Sequence, residues 1–286
     1  MDKLLSQSYK KLKNILSKMD SVLIAYSGGV DSSLLLKVAC DVLARNVLAV
    51  VANSATYPKN ELIFAKKMAK QIGARCLVIK TEELKNNDFL KNSLDRCYFC
   101  KRELFSKLNS IAKANRLQFV ADGSNLDDRK DFRPGSLAKK EFHIRSPLAE
   151  AGLTKKDIRS LSKYLHLATW DKPSMACLAS RILYGTKITE ENLLRIDQVE
   201  VFLKSLGFNQ VRAREYNGLC RIEVDKKQIP KLLTRRAFIV DSLKKLGYNY
   251  VTVDLEGYRT GSMNQMRPSL THSVKGMVEL DPHHFL

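Results

Sequence analysis

No apolar run in the chain reaches the ~18 residues that a membrane-spanning helix requires. The first twenty residues set Leu4, Leu5, Tyr9, Leu12, Ile15, Leu16 and Met19 between lysines at helical spacing, so the continuous apolar centre of a secretory leader is missing there too. Internal repeats and low-complexity tracts are lacking, and tryptophan occurs once, at Trp170. There is no arginine-rich tail and no interleaving of aromatic and basic residues of the kind that stacks bases. These absences argue against a membrane partner and against a repeat architecture. They point to a cytoplasmic chain, in which six cysteines serve as thiols or ligands and not as disulfides.

With 286 residues, 44% hydrophobic and 28% charged, the chain is long enough for a sizeable core and two domains. Lys and Arg number 49 against 30 Asp and Glu, a formal charge of +19. That excess suits a polyanion such as RNA or a phosphorylated small molecule, and it is equally a common bias of solvated surfaces. The lysines are spread in pairs such as Lys66–Lys67, Lys139–Lys140 and Lys155–Lys156. Charge alone therefore keeps nucleic acid open and the motifs decide.

The decisive motif is SGGVDSS, Ser27 to Ser33, set between the apolar runs Val22–Ala25 and Leu34–Ala39. A strand, a glycine turn and a helix start form an arrangement that cradles phosphate, because free N–H groups and the positive helix end favour an anion. Gly28 and Gly29 allow close backbone approach, and Ser27, Ser32 and Ser33 add hydroxyls. A Walker A loop would need Gly-Lys-Ser/Thr, whereas Asp31 stands here with no lysine in the loop. The loop instead resembles that of the PP-loop ATP-pyrophosphatase superfamily, whose members cleave ATP between the α- and β-phosphates. The competing reading is a glycine turn without a ligand.

Beyond it, residues 47 to 53 read as a buried strand, 59 to 72 as a helix, 75 to 79 as a strand, 101 to 115 as a helix and 117 to 121 as a strand. That alternation predicts a doubly wound, Rossmann-like parallel α/β sheet. Such sheets hold ligands at the carboxyl ends of their strands, where SGGVDSS, Asn53 and the pair Asp122 and Gly123 converge. Ordinary turn chemistry accounts for Asn53 and Asp122 equally well. Residues 123 to 150 read as a long polar functional loop, and Thr154 with Asp157 as a weak capping box. A second loop covers 167 to 187. Helix 189 to 206, strands 209 to 214 and 219 to 225, a helix from Pro230 to about 246 and strand 249 to 254 then make a smaller α+β unit. The expected boundary gives domains 1–187 and 188–286.

Cys97 and Cys100 form Cys-x-x-Cys, and Cys177 lies in PSMACLASRI. Three readings compete for them. A structural zinc would need a fourth ligand, a redox dithiol would use the pair alone, and an iron–sulfur cluster on three cysteines would leave one iron open to an external sulfide. Cys40, Cys76 and Cys220 read as buried structural residues.

Taken together, SGGVDSSLL, CYFCKRELF, DGSNLDDRKDFRPG, SPLAEAGLTKKDIR, PSMACLASRILYGTKIT, RIEV and DLEGYRTGSMN resemble the LarE family of ATP-dependent sulfurtransferases over nearly the whole chain. The resemblance implies adenylation of a carboxylate of pyridinium biscarboxylic acid mononucleotide and its conversion to a thiocarboxylate, for the nickel-pincer nucleotide cofactor of lactate racemase. In one branch the cysteine at the Cys177 position gives up its own sulfur. In the other, three cysteines hold a 4Fe-4S cluster, and Cys97, Cys100 and Cys177 match that branch. The resemblance further implies ATP and Mg²⁺ as cofactors, an external sulfide donor and a homo-oligomer.

Carried across position by position, Ser180 and Arg181 would orient the adenylated intermediate, and Asp31 would steer Mg²⁺ and pyrophosphate. Arg212 and Arg214, two apart on a strand, project to one face and suit a phosphate or carboxylate. Arg259 would grip the ribose phosphate, while Glu200 and Glu223 match acidic positions near the transfer site. Surface ion pairs are the competing reading for the arginines, and burial as partners of Arg212 and Arg214 the one for Glu200 and Glu223. The rival substrate is tRNA, with a PP-loop thiolase of the same cluster. DLEGYRTGSMN and the lack of an RNA-binding appendage argue against it. A superfamily amidotransferase or a nucleotide-binding regulatory module would leave the cysteines without a role.

Overall fold

The computed structural model describes residues 3–129, 134–173, 175–259 and 262–263. Helix α1 (Lys3–Ser17) leads into β1 (Val22–Ala25), α2 (Val30–Leu43), β2 (Val47–Asn53), α3 (Lys59–Ile72) and β3 (Arg75–Lys80). Short α4 (Asn87–Leu90) precedes the long α5 (Arg96–Ala114) and β4 (Phe119–Asp122). These strands form one parallel sheet in the order β3-β2-β1-β4.

Alternate residues of the central strand explain why both faces are covered. Val22 and Ile24 enter one core with Leu12, Leu16, Leu34, Leu35 and Ile158, while Leu23 enters another with Phe105, Leu108 and Val120. Parallel strands buried on both sides need such apolar runs. The order places β1 between β2 and β4, so the crevice at the carboxyl end of β1 is the switch point where an α/β sheet binds its ligand. The fold is therefore the expected α/β, Rossmann-like sheet of the PP-loop type.

Where a loop was expected over 123 to 150, α6 (Gly135–Glu141) and α7 (Pro147–Glu150) form, because Ala138 and Leu148 are both fully buried. Residues 130 to 133 of that stretch lie outside the described ones. Helix α8 (Lys155–Tyr164) starts on the full capping box of Thr154 and Asp157. Cys76 corrects the expectation of a core thiol. It is exposed, because β3 is the edge strand of its sheet.

The second unit packs α9 (Glu190–Ser205), α10 (Ile229–Thr234) and α11 (Arg236–Lys245) with β5 (Val211–Tyr216), β6 (Leu219–Val224) and β7 (Tyr250–Val253). β5 and β6 are antiparallel, and β7 joins β6 in parallel. The helix expected from Pro230 to 246 is broken at Arg235. The core of this unit also takes Phe89, Leu178, Ala179 and Ile182 from before residue 187. Residues 264–286 lie outside the described ones, as do Thr260, Gly261 and Asn264 of DLEGYRTGSMN.

Candidate active site

The SGGVDSS loop turns sharply from β1 into α2. Gly28 has φ +70°, and a β-carbon there would stand 2.8 Å from that of Ala65, so both its conformation and its neighbour require glycine. The Ser27 hydroxyl lies 3.1 Å from that of Ser32, and the Gly29 amide approaches Ser27 Oγ at 3.4 Å. Ser33 is buried, with its Oγ 3.2 Å from the Tyr26 hydroxyl. From the adjacent strand end, Gly123 packs so closely that a β-carbon would come within 2.9 Å of the Ser32 nitrogen. The ends of β1 and β4 thus meet over the start of α2.

The loop opens into a cleft of about 350 Å³, whose walls include Ser27, Gly29, Asp31, Tyr57, Lys155 and Lys172. Asp31 accepts a hydrogen bond of 3.1 Å from Asn125 Nδ2 and pairs with Lys155 Nζ. Lys172 Nζ donates to Gly28 O at 3.2 Å, pairs with Glu61 at 2.7 Å and sits 3.6 Å from the centroid of the Phe64 ring. Two lysines from beyond residue 150 thus bring positive charge to a loop that carries none of its own. Asp127 and Asp128 complete an acidic wall beside Asp31. Asp122 is buried and accepts from the hydroxyls of Ser124 and Ser146, both at 2.7 Å. Asn53 is exposed at the end of β2, and its carbonyl accepts from Thr81 N.

The segment around Tyr57 connects this cleft with the Cys177 segment. Tyr57 lines the cleft beside Ser27, and burial pushes its pKa up to about 12, with Cys177, Glu61 and Cys100 adding to the rise. One residue earlier, the Thr56 carbonyl accepts from Leu178 N at 2.7 Å, directly after Cys177. Cys97 and Cys100 lie one turn apart at the start of α5, Cys97 exposed and Cys100 packed against the second core together with Cys177. Burial pushes the Cys100 thiol up, and the charges of Glu83, Cys177 and Cys97 push the same way. Among the described residues, no group of three or more His, Cys, Asp or Glu is disposed to hold a single metal ion. A cubane holds its thiolates further apart than one ion does, and the thiols on offer are Cys97 and Cys100, one turn apart on α5, and Cys177, which packs against the same core as Cys100.

A polar clamp fixes the two cysteine segments. Asn92 Nδ2 donates to Leu183 O at 2.8 Å and Thr186 O at 3.0 Å, while Arg96 Nη1 bonds both Asn92 Oδ1 and Ala179 O. Behind Cys177, Arg181 is fully buried against Glu200 at 2.9 and 3.1 Å, and its Nη1 donates to the carbonyls of Ala176 and Cys177. Ser180 Oγ donates to Cys177 O at 2.7 Å.

Arg212 and Arg214 are both buried on β5, and desolvation lowers the Arg212 pKa. Arg214 pairs with Glu223 at 2.6 Å and also reaches Ser180 O and Ser262 Oγ. Arg259 pairs with Glu256 at 2.5 Å and faces Asp254 at 3.8 Å. Of the alternatives for the two glutamates, Glu223 partners Arg214, and Glu200 partners Arg181.

A family profile described as NAD synthase matches residues 4–114, from α1 through α5. The chain is 39% identical over 250 residues to a pyridinium-3,5-bisthiocarboxylic acid mononucleotide synthase of Lactiplantibacillus plantarum, covering 87% of this chain and 91% of that protein. The chain belongs to the LarE family. LarE-like sequence extends to an uncharacterised protein of Synechocystis, 42% identical with 92% of this chain and 99% of that protein covered. An uncharacterised protein of Methanocaldococcus jannaschii is 32% identical, over 87% of this chain and 96% of its own length.

As a LarE family member the chain is an ATP-dependent sulfurtransferase of PP-loop type. Its fold places Ser27, Gly29 and Asp31 in the lining of one cleft, with Gly28, Ser32, Ser33 and Gly123 packed in and against the same loop, and brings the Cys177 segment close through the bond from Leu178 to Thr56. Arg181 and Glu200 occupy the wall behind Cys177, while Asn53 lies outside the cleft lining. Sequence reasoning missed Lys155, Lys172 and Tyr57. The capping box at Thr154 makes Lys155 the first helical residue and was a usable signal. Nothing local marks Lys172.

Proposed function

We propose that this protein adenylates a carboxylate of pyridinium biscarboxylic acid mononucleotide with ATP and converts it to a thiocarboxylate for nickel-pincer nucleotide biosynthesis. One observation carries the reading: Tyr57 lines the cleft of the pyrophosphate loop, and its neighbour Thr56 accepts through its carbonyl the amide of Leu178, directly after Cys177. Activation and sulfur delivery must be adjacent, since an acyl adenylate free in water hydrolyses.

In the first half, a carboxylate oxygen attacks the α-phosphorus and the bond to pyrophosphate breaks. The amides and hydroxyls of Ser27 to Ser33 hold the departing pyrophosphate, Lys172 offsets its charge, and Asp31, released from Lys155, would hold Mg²⁺, which would neutralise the phosphate oxygens. In the second half, a sulfur nucleophile attacks the acyl carbon and AMP leaves. Cys97, Cys100 and Cys177 would hold a 4Fe-4S cluster, which supplies an open iron able to carry sulfide from an external donor. Arg181 and Ser180 hold the Cys177 backbone in place from behind, which makes them positioning residues. Arg212, Arg214 and Arg259 receive the anionic groups of the acceptor, a small-molecule nucleotide. We place the enzyme in the cytoplasm as a homo-oligomer.

The test incubates anaerobically reconstituted protein with ATP, Mg²⁺, sulfide and either the pyridinium nucleotide or bulk tRNA. AMP, pyrophosphate and a thiocarboxylate are expected with the nucleotide alone. Thiolated tRNA would overturn the acceptor. Loss of one sulfur from Cys177 in the protein's mass would replace cluster delivery by sacrificial transfer.

A further inference from the structure

Asp31 is fixed from one side and covered from the other. Its Oδ1 accepts from Asn125 Nδ2 at 3.1 Å, and Asn125 is itself buried, its Oδ1 receiving the amides of Asp127 and Asp128 at 2.9 and 3.3 Å. Its Oδ2 accepts from the ammonium of Lys155. The Lys155 backbone is anchored, because it follows the capping box of Thr154 and its amide donates to Asp127 Oδ2 at 2.8 Å. The side chain is 33% exposed and reaches Asp31 on a flexible four-carbon stem. Lys172 differs, since Gly28 O, Glu61 and the Phe64 ring hold its Nζ together.

A single carboxylate on a phosphate loop fits Mg²⁺, which takes one or two carboxylates and completes its shell with waters and substrate phosphates. The ammonium and the metal ion call for the same oxygen, Oδ2, because Asn125 holds the other. Two cations at bonding distance from one oxygen repel each other, so each excludes the other. A phosphate anion shifts that balance. Lys155 lines the same cleft as Ser27 and Gly29, and there its ammonium can exchange the carboxylate for a phosphate oxygen.

We infer that Lys155 is a built-in counter-cation of Asp31, which keeps a divalent ion off this carboxylate until a phosphate anion enters the cleft. The inference rests on the proposed function in taking Asp31 as the carboxylate for Mg²⁺. Lys155 acts through Asp31 and is a positioning residue. A contact of this kind carries coupling on the order of fivefold or more.

The experiment titrates Mn²⁺, which shares the preference of Mg²⁺ for oxygen ligands, into the full chain without nucleotide or phosphate, and reads the free ion by electron paramagnetic resonance. Lys155→Met should bind Mn²⁺ at least about fivefold more tightly than the unsubstituted protein, and adding Asp31→Asn should abolish the gain. Unchanged affinity in Lys155→Met, or a gain that survives Asp31→Asn and so reflects only the charge of the cleft, overturns the inference. A second titration tests the reading beneath it. Mn²⁺ should tighten binding of the non-cleavable analogue α,β-methylene-ATP to the unsubstituted protein, and Asp31→Asn should remove that effect. If Asp31→Asn retains it, Asp31 is not the metal's carboxylate, and that part of the proposed function falls with the inference. If Asp31→Asn removes it while Lys155→Met leaves Mn²⁺ affinity unchanged, only the inference falls.

Discussion

Arg181 and Glu200 meet through two hydrogen bonds of 2.9 and 3.1 Å with no access to water. Removing one partner strands a buried charge, which costs about 3–5 kcal/mol, while replacing both by apolar residues of similar volume costs far less. Glu200→Ala should therefore lower the urea midpoint severely, and the pair Arg181→Met with Glu200→Leu should recover most of it. A mild effect of Glu200→Ala would mean that water enters the site. The cysteines differ at the same scale. Cys97 is exposed, whereas burial pushes the Cys100 thiol up. A raised pKa leaves less thiolate at a given pH, so in iron-free protein Cys100 should alkylate far more slowly than Cys97 at pH 8. Its rate should keep climbing by about tenfold per pH unit through pH 10, as thiolate reactivity requires. A Cys100 rate that levels off near pH 8 would contradict the assigned burial.

At the scale of elements, the pyrophosphate loop depends on how closely β4 approaches α2. A methyl group at Gly123 would come within 2.9 Å of the Ser32 nitrogen, an amide at the start of α2 where the proposed pyrophosphate site lies. Gly123→Ala should weaken pyrophosphate binding by about tenfold or more in calorimetry, because a misplacement on the order of 1 Å is that costly at a preorganised site. Its far-ultraviolet circular dichroism should stay unchanged. Unaltered affinity would show that the two strand ends can separate. This loop was legible in the sequence because strand, glycine turn and helix start are contiguous there. The strands β1 and β2 were legible for a related reason, since a parallel strand buried on both faces is a continuous apolar run. Helices α6 and α7 were hidden because they are short, seven and four residues, and only tertiary packing of Ala138 and Leu148 orders them. Cys76 was misplaced because strand order decides which strand lies at the edge, and no local pattern encodes that order. Lys155, Lys172 and Tyr57 reach the cleft from three separate segments, so their convergence is a property of the fold.

At the scale of the whole molecule, the candidate site straddles two cores. Ser27 and Asp31 belong to elements of the parallel sheet, whereas Cys100 and Cys177 pack against the core built by α9, β5 and β6. The clamp of Asn92 and Arg96 and the bond from Leu178 to Thr56 join the two. A lesion deep in the second core should therefore reach the thiols before it reaches the nucleotide. Leu203 is fully buried there on α9. Leu203→Ala removes methyl groups and leaves a cavity, at a cost of about 2–5 kcal/mol. Separated sites usually behave independently, so affinity for ATP should change by no more than about twofold, while alkylation of Cys100 in iron-free protein should quicken. The two readouts have different origins. Loosening of the second core exposes a thiol that burial had held unreactive, yet the loop keeps its shape from Gly28, Gly123 and Ala65 in the first. If ATP affinity instead falls in parallel with stability, the two cores act as one cooperative unit, and sulfur delivery would be tied to nucleotide binding through the whole fold.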